Sequence, residues 1–203
     1  MAIKVANNNS LSAITSLPAA ITRGAMTLLE TQTASSSSTI SFTSNIDSTY
    51  KEYVFKFINI HPQTGSQSFS FQGSTNTGSS YGVTTTSTLF RGYHNEGDTA
   101  TGVAYRGDYD VAQGTGFIPL SDGVALGNEN DECVSGYIQL FEPSSTTFVK
   151  HFISRFNEYH QADYSIDGYV AGYFNTTSAI DAIQFKMSSG NIDAGTIKMY
   201  GIK

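Results

Sequence analysis

Apolar and polar residues alternate with a period of two in several stretches, and this alternation restricts the fold more than any other feature of the sequence. In the run Ile180–Met187, Ile183 and Phe185 share one face, and the run Thr196–Ile202 repeats the pattern after a stretch rich in Gly, Asn and Asp. Period-two alternation interrupted by turn residues is typical of antiparallel strands with one buried face. No run of a dozen residues shows the apolar stripe of an amphipathic helix.

The stretch Lys51–His61 is the strongest predicted strand, and it is apolar on both faces. One face carries Tyr53, Phe55 and Phe57, and the other carries Val54, Ile58 and Ile60. A strand of this kind is expected to be buried on both faces or to form a subunit contact. Pro62 is expected to end the strand, because proline has no N–H to donate to a β-ladder.

The fold class predicted from these patterns is all-β: an antiparallel β-sandwich of jelly-roll or Greek-key type, with about eight to ten strands. The expected sandwich domain spans residues 25–203, and residues 1–24 are expected to form an N-terminal arm. The 13 Phe and 12 Tyr residues supply a large buried area for one domain of this size. Between Gly92 and Asn130 the alternation is lost, and this stretch is predicted to be a long, partner-facing excursion.

Charge and cysteine content exclude several classes of protein. The net charge is −6 and the 11 Lys and Arg residues are scattered along the sequence, so direct nucleic-acid binding is not expected. The apolar runs are far shorter than the roughly 20 residues of a membrane span, and the N-terminus lacks the apolar core of a secretory signal. Cys133 is the only cysteine, which excludes an intrachain disulfide and favours a small apolar role at the start of a strand.

Several short patterns match functional motifs, but local structure explains each of them better. Gly78–Gly82 matches G-x-S-x-G, yet a strand is predicted after it, where a nucleophile elbow requires a helix. His94 has acidic neighbours, but no two of the four His residues have metal-ligand spacing. The acidic stretch Asn128–Glu132 is interpreted as a solvated loop, with a calcium loop as the alternative, and Arg106–Asp108 as a turn. We therefore expect neither an enzymatic activity nor a cofactor or metal.

The N-terminal segment carries apolar residues at spacings of three to four, namely Leu11, Ile14, Leu17 and Ile21. Pro18 interrupts any helix there, because it removes a donor and restricts the residue before it. One interpretation is a short helical turn packed on its own domain. The favoured interpretation is an arm that binds a neighbouring subunit through these four residues.

Two further patterns carry a resemblance to a known group of proteins. The first is a Ser/Thr-rich strand, Ser38–Thr43, followed by the step S-T-Y-K at Ser48–Lys51. The second is T-S-A-I-x-x-I-x-F-x-x-x-S-G-N-x-x-x-G-x-x-x-x-Y-G-I-K over Thr177–Lys203. The chain resembles a recurrent group of tailed-bacteriophage virion proteins that is abundant among marine phages. The resemblance extends from about Ser35 to Lys203 and is strong at its two ends.

The resemblance implies a structural protein of the virion, made in the host cytoplasm, and leaves two roles open. In the first, a homotrimeric capsid decoration (cement) protein binds the major capsid protein or other virion proteins. In the second, a tail-fibre or receptor-binding domain contacts glycans on the host surface. The single predicted domain, the predicted arm and the lack of a repetitive shaft in the sequence favour decoration.

Overall fold

The structure, a computed structural model, describes residues 25–203, and within that range it contains twelve β-strands and no α-helix. The strands in chain order are β1 (Met26–Thr33), β2 (Ile40–Phe42), β3 (Glu52–Pro62), β4 (Phe69–Ser74), β5 (Thr85–Asn95), β6 (Thr101–Tyr105), β7 (Ile118–Pro119), β8 (Val134–Phe141), β9 (Lys150–His160), β10 (Tyr164–Phe174), β11 (Ala182–Met187) and β12 (Ile192–Ile202). β6 and β7, with five and two residues, lie in the stretch where the alternation is lost. With these two strands the total exceeds the predicted eight to ten.

The strands form two antiparallel sheets. The large sheet has eight strands in the order β1-β12-β3-β8-β9-β10-β5-β6, and the small sheet has four in the order β2-β11-β4-β7. Four nested pairs connect the two halves of the chain: β1 with β12, β2 with β11, β3 with β8, and β4 with β7. This nesting is the jelly-roll arrangement. The predicted antiparallel β-sandwich is confirmed, and the strand order is that of the jelly roll.

The remaining four strands extend the large sheet beyond the small one. β10 pairs with β9 on one side and with β5 on the other, each over eleven residues, and β6 forms the edge. The small sheet covers part of the inner side of this extension, where Phe71 of β4 meets Phe152 of β9 and Phe174 of β10. Loop residues between 106 and 132 cover another part. The N–H of Ser87 donates to the carbonyl oxygen of Val111 (2.8 Å), and Leu126 forms a β-bridge with His160.

The core between the sheets is built from phenylalanine rings. Its fully buried members are Phe42, Phe55, Phe57, Phe69, Phe71, Phe152, Phe156, Phe174 and Phe185. Many of these rings meet edge to face, as Phe71 and Phe152 do with 5.2 Å between centroids. Gly168 leaves room for the Phe156 ring against its backbone. The pairing of β9 with β10 is continuous, so this glycine marks close approach and not a bulge.

β3 differs from its prediction on one face. Its inward residues are buried as expected, but the outward Ile58 is 41% exposed, so the second face is only partly covered in the part of the chain that the structure describes. Ile60 belongs to the buried face, although simple alternation places it on the other. The pairing register with β8 shifts between Phe57 and Ile60, and Asn59 in this bulge has a φ of 50°. The bulge turns Ile60 inward.

Candidate binding face

Within residues 25–203, most of the exposed large hydrophobic side chains lie on the outward side of the large sheet. By contrast, all six residues of β4 in the small sheet are buried, and Gln72 is held there by the carbonyl oxygens of Val83 (3.2 Å) and Gly116 (2.8 Å). On the large sheet, Leu28 is 52% exposed and Ile153 is 42% exposed. We call this side of the large sheet the outer face.

One line of paired residues crosses all eight strands of the outer face. From β1 to β6 its members are Thr31, Lys198, Lys56, Tyr137, Arg155, Tyr169, Phe90 and Tyr105. We call this line the cross-strand row. Since neighbouring strands lie about 4.8 Å apart, the row is roughly 34 Å long. Its cations lie toward β12, and its aromatic residues lie toward β6.

The side chains in the middle of the row are held in place by contacts with one another and with Asp167. The rings of Tyr169 and Phe90 are stacked with 4.9 Å between centroids and an interplanar angle of 5°. The guanidinium of Arg155 lies 5.1 Å from the centre of the Tyr169 ring. Its Nε and Nη2 atoms each donate to the Asp167 carboxylate at 2.8 Å, and these bonds raise the pKa of Arg155. Side chains ordered in this way lose little further rotamer entropy when a partner binds.

The outer face also differs in charge from the rest of the molecule. Its outward strand positions carry three cations, Lys198, Lys56 and Arg155, and two carboxylates, Glu52 and Asp167. The face therefore has a small positive excess, although the whole chain has a net charge of −6. The cations are far apart in the sequence, and the strand register brings them into one line.

A second polar assembly lies buried on the inner side of the sheet extension. The Asp122 carboxylate is 1% exposed, contacts the guanidinium of Arg91 on β5, and has Oδ1 3.0 Å from Nε of Arg106. The N–H of Asp122 donates to Oε2 of Glu158 on β9 (2.6 Å), and Oε1 of Glu158 has no hydrogen-bond partner among the residues that the structure describes. We call these four residues the buried ion cluster.

The buried ion cluster fixes residues 106–122 onto the sheet, so part of the predicted partner-facing excursion has a packing role. Arg106 is turned toward this cluster and also lies over the Tyr109 ring, with 4.8 Å from its guanidinium carbon to the centroid. The N–H of Tyr109 donates to the carbonyl oxygen of Arg106 (3.0 Å), as expected for the turn predicted at Arg106–Asp108.

The environment of Glu158 makes its ionisation unfavourable in the folded protein. Burial raises the pKa of this carboxyl from 4.5 to about 8, although Arg91 and Arg106 act in the opposite direction. The folded state therefore holds the proton more tightly than the unfolded state does. The resulting contribution to stability is fully present below pH 4.5 and is lost as the pH rises to about 8.

We expect the contribution of Glu158 to the free energy of unfolding to fall by on the order of 4 kcal/mol between about pH 5 and about pH 8. The Glu158→Gln variant cannot ionise, so its stability should change less over this range. Urea unfolding of both proteins at the two pH values measures the difference. Equal pH dependence in the two proteins would contradict the effect assigned to Glu158.

The acidic stretch Asn128–Glu132 is only partly solvated. The Glu132 carboxylate is mostly buried and accepts a hydrogen bond from the N–H of Glu129 (2.6 Å). A cavity of about 490 Å³ lies beside this stretch, and His61 in its lining has Nδ1 3.8 Å from Oδ2 of Asp193. Within residues 25–203, no three His, Cys, Asp or Glu residues are placed to hold a metal ion together.

The other sequence motifs also have local structural roles. Nε2 of His94 lies 3.0 Å from Oδ1 of Asp98, in an exposed hairpin. Gly78–Gly82 leads into strand β5 and not into a helix, so the Ser80 hydroxyl is not raised on a nucleophile elbow. Cys133 directly precedes β8, and burial raises the pKa of its thiol.

The residues predicted to bind a partner through the N-terminal arm are Leu11, Ile14, Leu17 and Ile21. All four lie outside the residues that the structure describes. The outer face and the buried ion cluster, in contrast, were not predicted. For the cluster a signal was present, because Glu158 has the same alternation phase as the buried Phe152 and Phe156.

Comparison with models of protein families, with curated proteins and with solved structures finds no match. Within residues 25–203, no helix has the length and hydropathy needed to cross a lipid bilayer.

Proposed function

We propose that the protein is a structural component of a bacteriophage virion, and that it decorates the capsid shell by binding the major capsid protein. The sequence resemblance at Ser38–Lys51 and Thr177–Lys203 supports the virion assignment. The jelly-roll strand order supports it more weakly, because viral capsid proteins share this architecture with lectin domains and cupins.

The observation that carries the decoration role is the completeness of the core within residues 25–203. The aromatic core side chains form one cluster within that range and are buried there, with Phe42 and Phe55 at 0% exposure. β1 is an edge strand and its first residue, Met26, is exposed, so the described sandwich begins at its surface. The apolar residues of the segment 1–24 are therefore not needed to fill the core and are available to bind a neighbour.

The binding energy of one such arm is modest. Burial of Leu11, Ile14, Leu17 and Ile21 contributes roughly 6–12 kcal/mol at about 1.5–3 kcal/mol for each side chain. Ordering the segment costs a large part of this. Tight attachment therefore requires several arms acting together, as in a trimer, because linked weak contacts strengthen one another.

A truncated protein that starts at Ala25 is expected to fold normally but to bind particles at least about tenfold more weakly. Its attachment is measured by co-sedimentation with particles that lack the protein, and its fold by circular dichroism and thermal unfolding. The matched control is the full chain with Asn7, Asn8 and Asn9 changed to serine, which keeps the apolar residues and should bind normally. Normal binding by the truncated protein would contradict the role of the arm.

A second candidate function is recognition of host glycans by a tail fibre. A shallow cavity of about 330 Å³ favours it, since its lining combines hydroxyl, amide and aromatic groups, as neutral sugars require. The lining residues are Thr75, Ser80, Tyr81, Gly82, Val83, Thr84, Asn175 and Thr176. The number of copies per particle separates the two functions: hundreds indicate the shell, and a handful indicates the tail.

A further inference from the structure

The cross-strand row has a direction, with cations at one end and aromatic residues at the other. We propose that the outer face of the large sheet binds the outer face of a second copy of this chain, with the two rows running in opposite directions. The two copies are related by a two-fold axis, which lies in the interface, runs parallel to the strands and passes between β8 and β9. This pairing does not depend on the function proposed above.

In the reversed arrangement, no two like charges of the rows lie directly opposite each other. Lys198 of one copy then lies opposite Phe90 of the other, Lys56 lies opposite Tyr169, and Arg155 lies opposite Tyr137. Lys56 also comes near Asp167, the residue that precedes Tyr169 by two on β10. Because Phe90 and Arg155 occupy both faces of the Tyr169 ring, the lysine stem packs against the edge of the ring, and its ammonium group reaches an acceptor. Sheets that pack face to face cross at about 30°, which keeps the central members of the rows together.

The alternative two-fold axis, parallel to the row, would place each residue against its own copy. Lys56 would then face Lys56, and Arg155 would face Arg155. Like charges opposed in an interface cost several kcal/mol, so complementarity selects the reversed arrangement.

The size and composition of the outer face fit a protein partner. A width of roughly 34 Å and three outward-facing residues along each strand, which span about 20 Å, give roughly 700 Å² per copy, near the ~800 Å² per partner of stable complexes. Exposed apolar side chains flank the row, including Leu28 at 52% and Ile153 at 42% exposure. Aromatic and arginine side chains are enriched in interface cores.

Two other occupants fit less well. Residues 1–24 contain Lys4 and Arg23 and no carboxylate side chain, so the segment offers no acceptor to Lys56 and Lys198, whereas a second copy supplies Asp167. A nucleic acid would need open ring faces for base stacking. The two faces of the Tyr169 ring are already occupied by Phe90 and Arg155.

The first test is the mass of the full chain in solution, measured by sedimentation over a range of concentrations. We expect a species of twice the chain mass of 21.8 kDa, or of six times that mass where the chains also form the trimer proposed above. Combining Lys56→Glu with Lys198→Glu places new carboxylates near Asp167 and should raise the dissociation constant by at least about 30-fold. The control is Lys186→Glu on β11 of the small sheet, where Nζ lies 4.5 Å from the centre of the Phe117 ring.

The control variant and the truncated protein that starts at Ala25 should both keep the paired species. A monomer at every concentration up to the solubility limit would overturn the proposal. A trimer that does not pair further, or a paired species that the outer-face variant leaves intact, would overturn it as well. Loss of the pair on truncation alone would show that residues 1–24 make the contact.

A second test reports orientation. A short bis-maleimide is added to an equal mixture of Lys56→Cys and Tyr169→Cys proteins, each also carrying Cys133→Ser. Cross-linking is expected in the mixture and not with Lys56→Cys alone, because the reversed rows place positions 56 and 169 opposite each other. Efficient cross-linking of Lys56→Cys to itself would show the other axis and overturn the reversed arrangement.

Discussion

Replacing Phe55 or Phe57 with alanine is expected to lower the free energy of unfolding by about 3–5 kcal/mol. Both residues lie on the inward side of β3, in the middle of the nested pairs. Phe55 meets Phe42 with 5.3 Å between ring centroids, and Phe57 meets Phe69 at the same distance. The lost ring leaves a cavity whose walls come from both sheets, and the fixed strand register limits their collapse.

Urea or guanidinium unfolding of each variant measures the effect, provided that the slope with denaturant stays unchanged. The matched control is Phe148→Ala, since Phe148 is 69% exposed and its loss should change stability by less than about 0.5 kcal/mol. A loss below about 1 kcal/mol in both core variants would contradict the placement of β3 at the centre of the core.

The strands could be predicted from the sequence because alternation is a local signal. It marks the buried face of β3, β11 and β12 without knowledge of their neighbours. The bulge at Asn59 could not be predicted in this way, since it depends on the pairing of β3 with β8. It moves Ile60 into the core, against its alternation phase.

The outer face was beyond sequence-based prediction for a related reason. Lys56 and Lys198 are far apart in the chain, and only the pairing of β3 with β12 makes them neighbours. The cations therefore look scattered in the sequence, although three of them lie in one row of the sheet. The apolar second face of β3 was the one local signal, because a strand of this kind is expected to be buried on both faces or to form a subunit contact.

A second variant with an expected stability loss similar to that of the core phenylalanine variants concerns Asp122. Replacing Asp122 with asparagine is expected to lower the free energy of unfolding by about 3–5 kcal/mol, because it removes one partner from a buried ion pair. Arg91 and Arg106 would then lack the carboxylate that neutralises them on the inner side of the extension. The control is Glu142→Gln in the exposed Lys51–Glu142 pair, which should cost less than about 1 kcal/mol.

Limited proteolysis distinguishes a local from a global effect of this variant. The buried ion cluster holds residues 106–122 on the sheet, so cleavage within this segment should become faster in Asp122→Asn than in the control. A variant that loses stability without faster cleavage there would show that the cluster supports the sandwich as a whole. Unchanged stability and unchanged cleavage would contradict the role of Asp122 in holding residues 106–122 on the sheet.

Replacing all four residues of the buried ion cluster tests what the buried charges contribute to the stability of the fold. Desolvation of ions often cancels their attraction, so an apolar replacement of similar volume is often neutral or stabilising. The combination Arg91→Met, Arg106→Met, Asp122→Leu and Glu158→Gln should therefore be more stable than Asp122→Asn alone. If it is instead less stable than the single variant, the ion pairs themselves stabilise the fold. If it recovers stability but leaves residues 106–122 open to proteases, the charges select the position of this segment, and apolar contacts hold the sheet extension together.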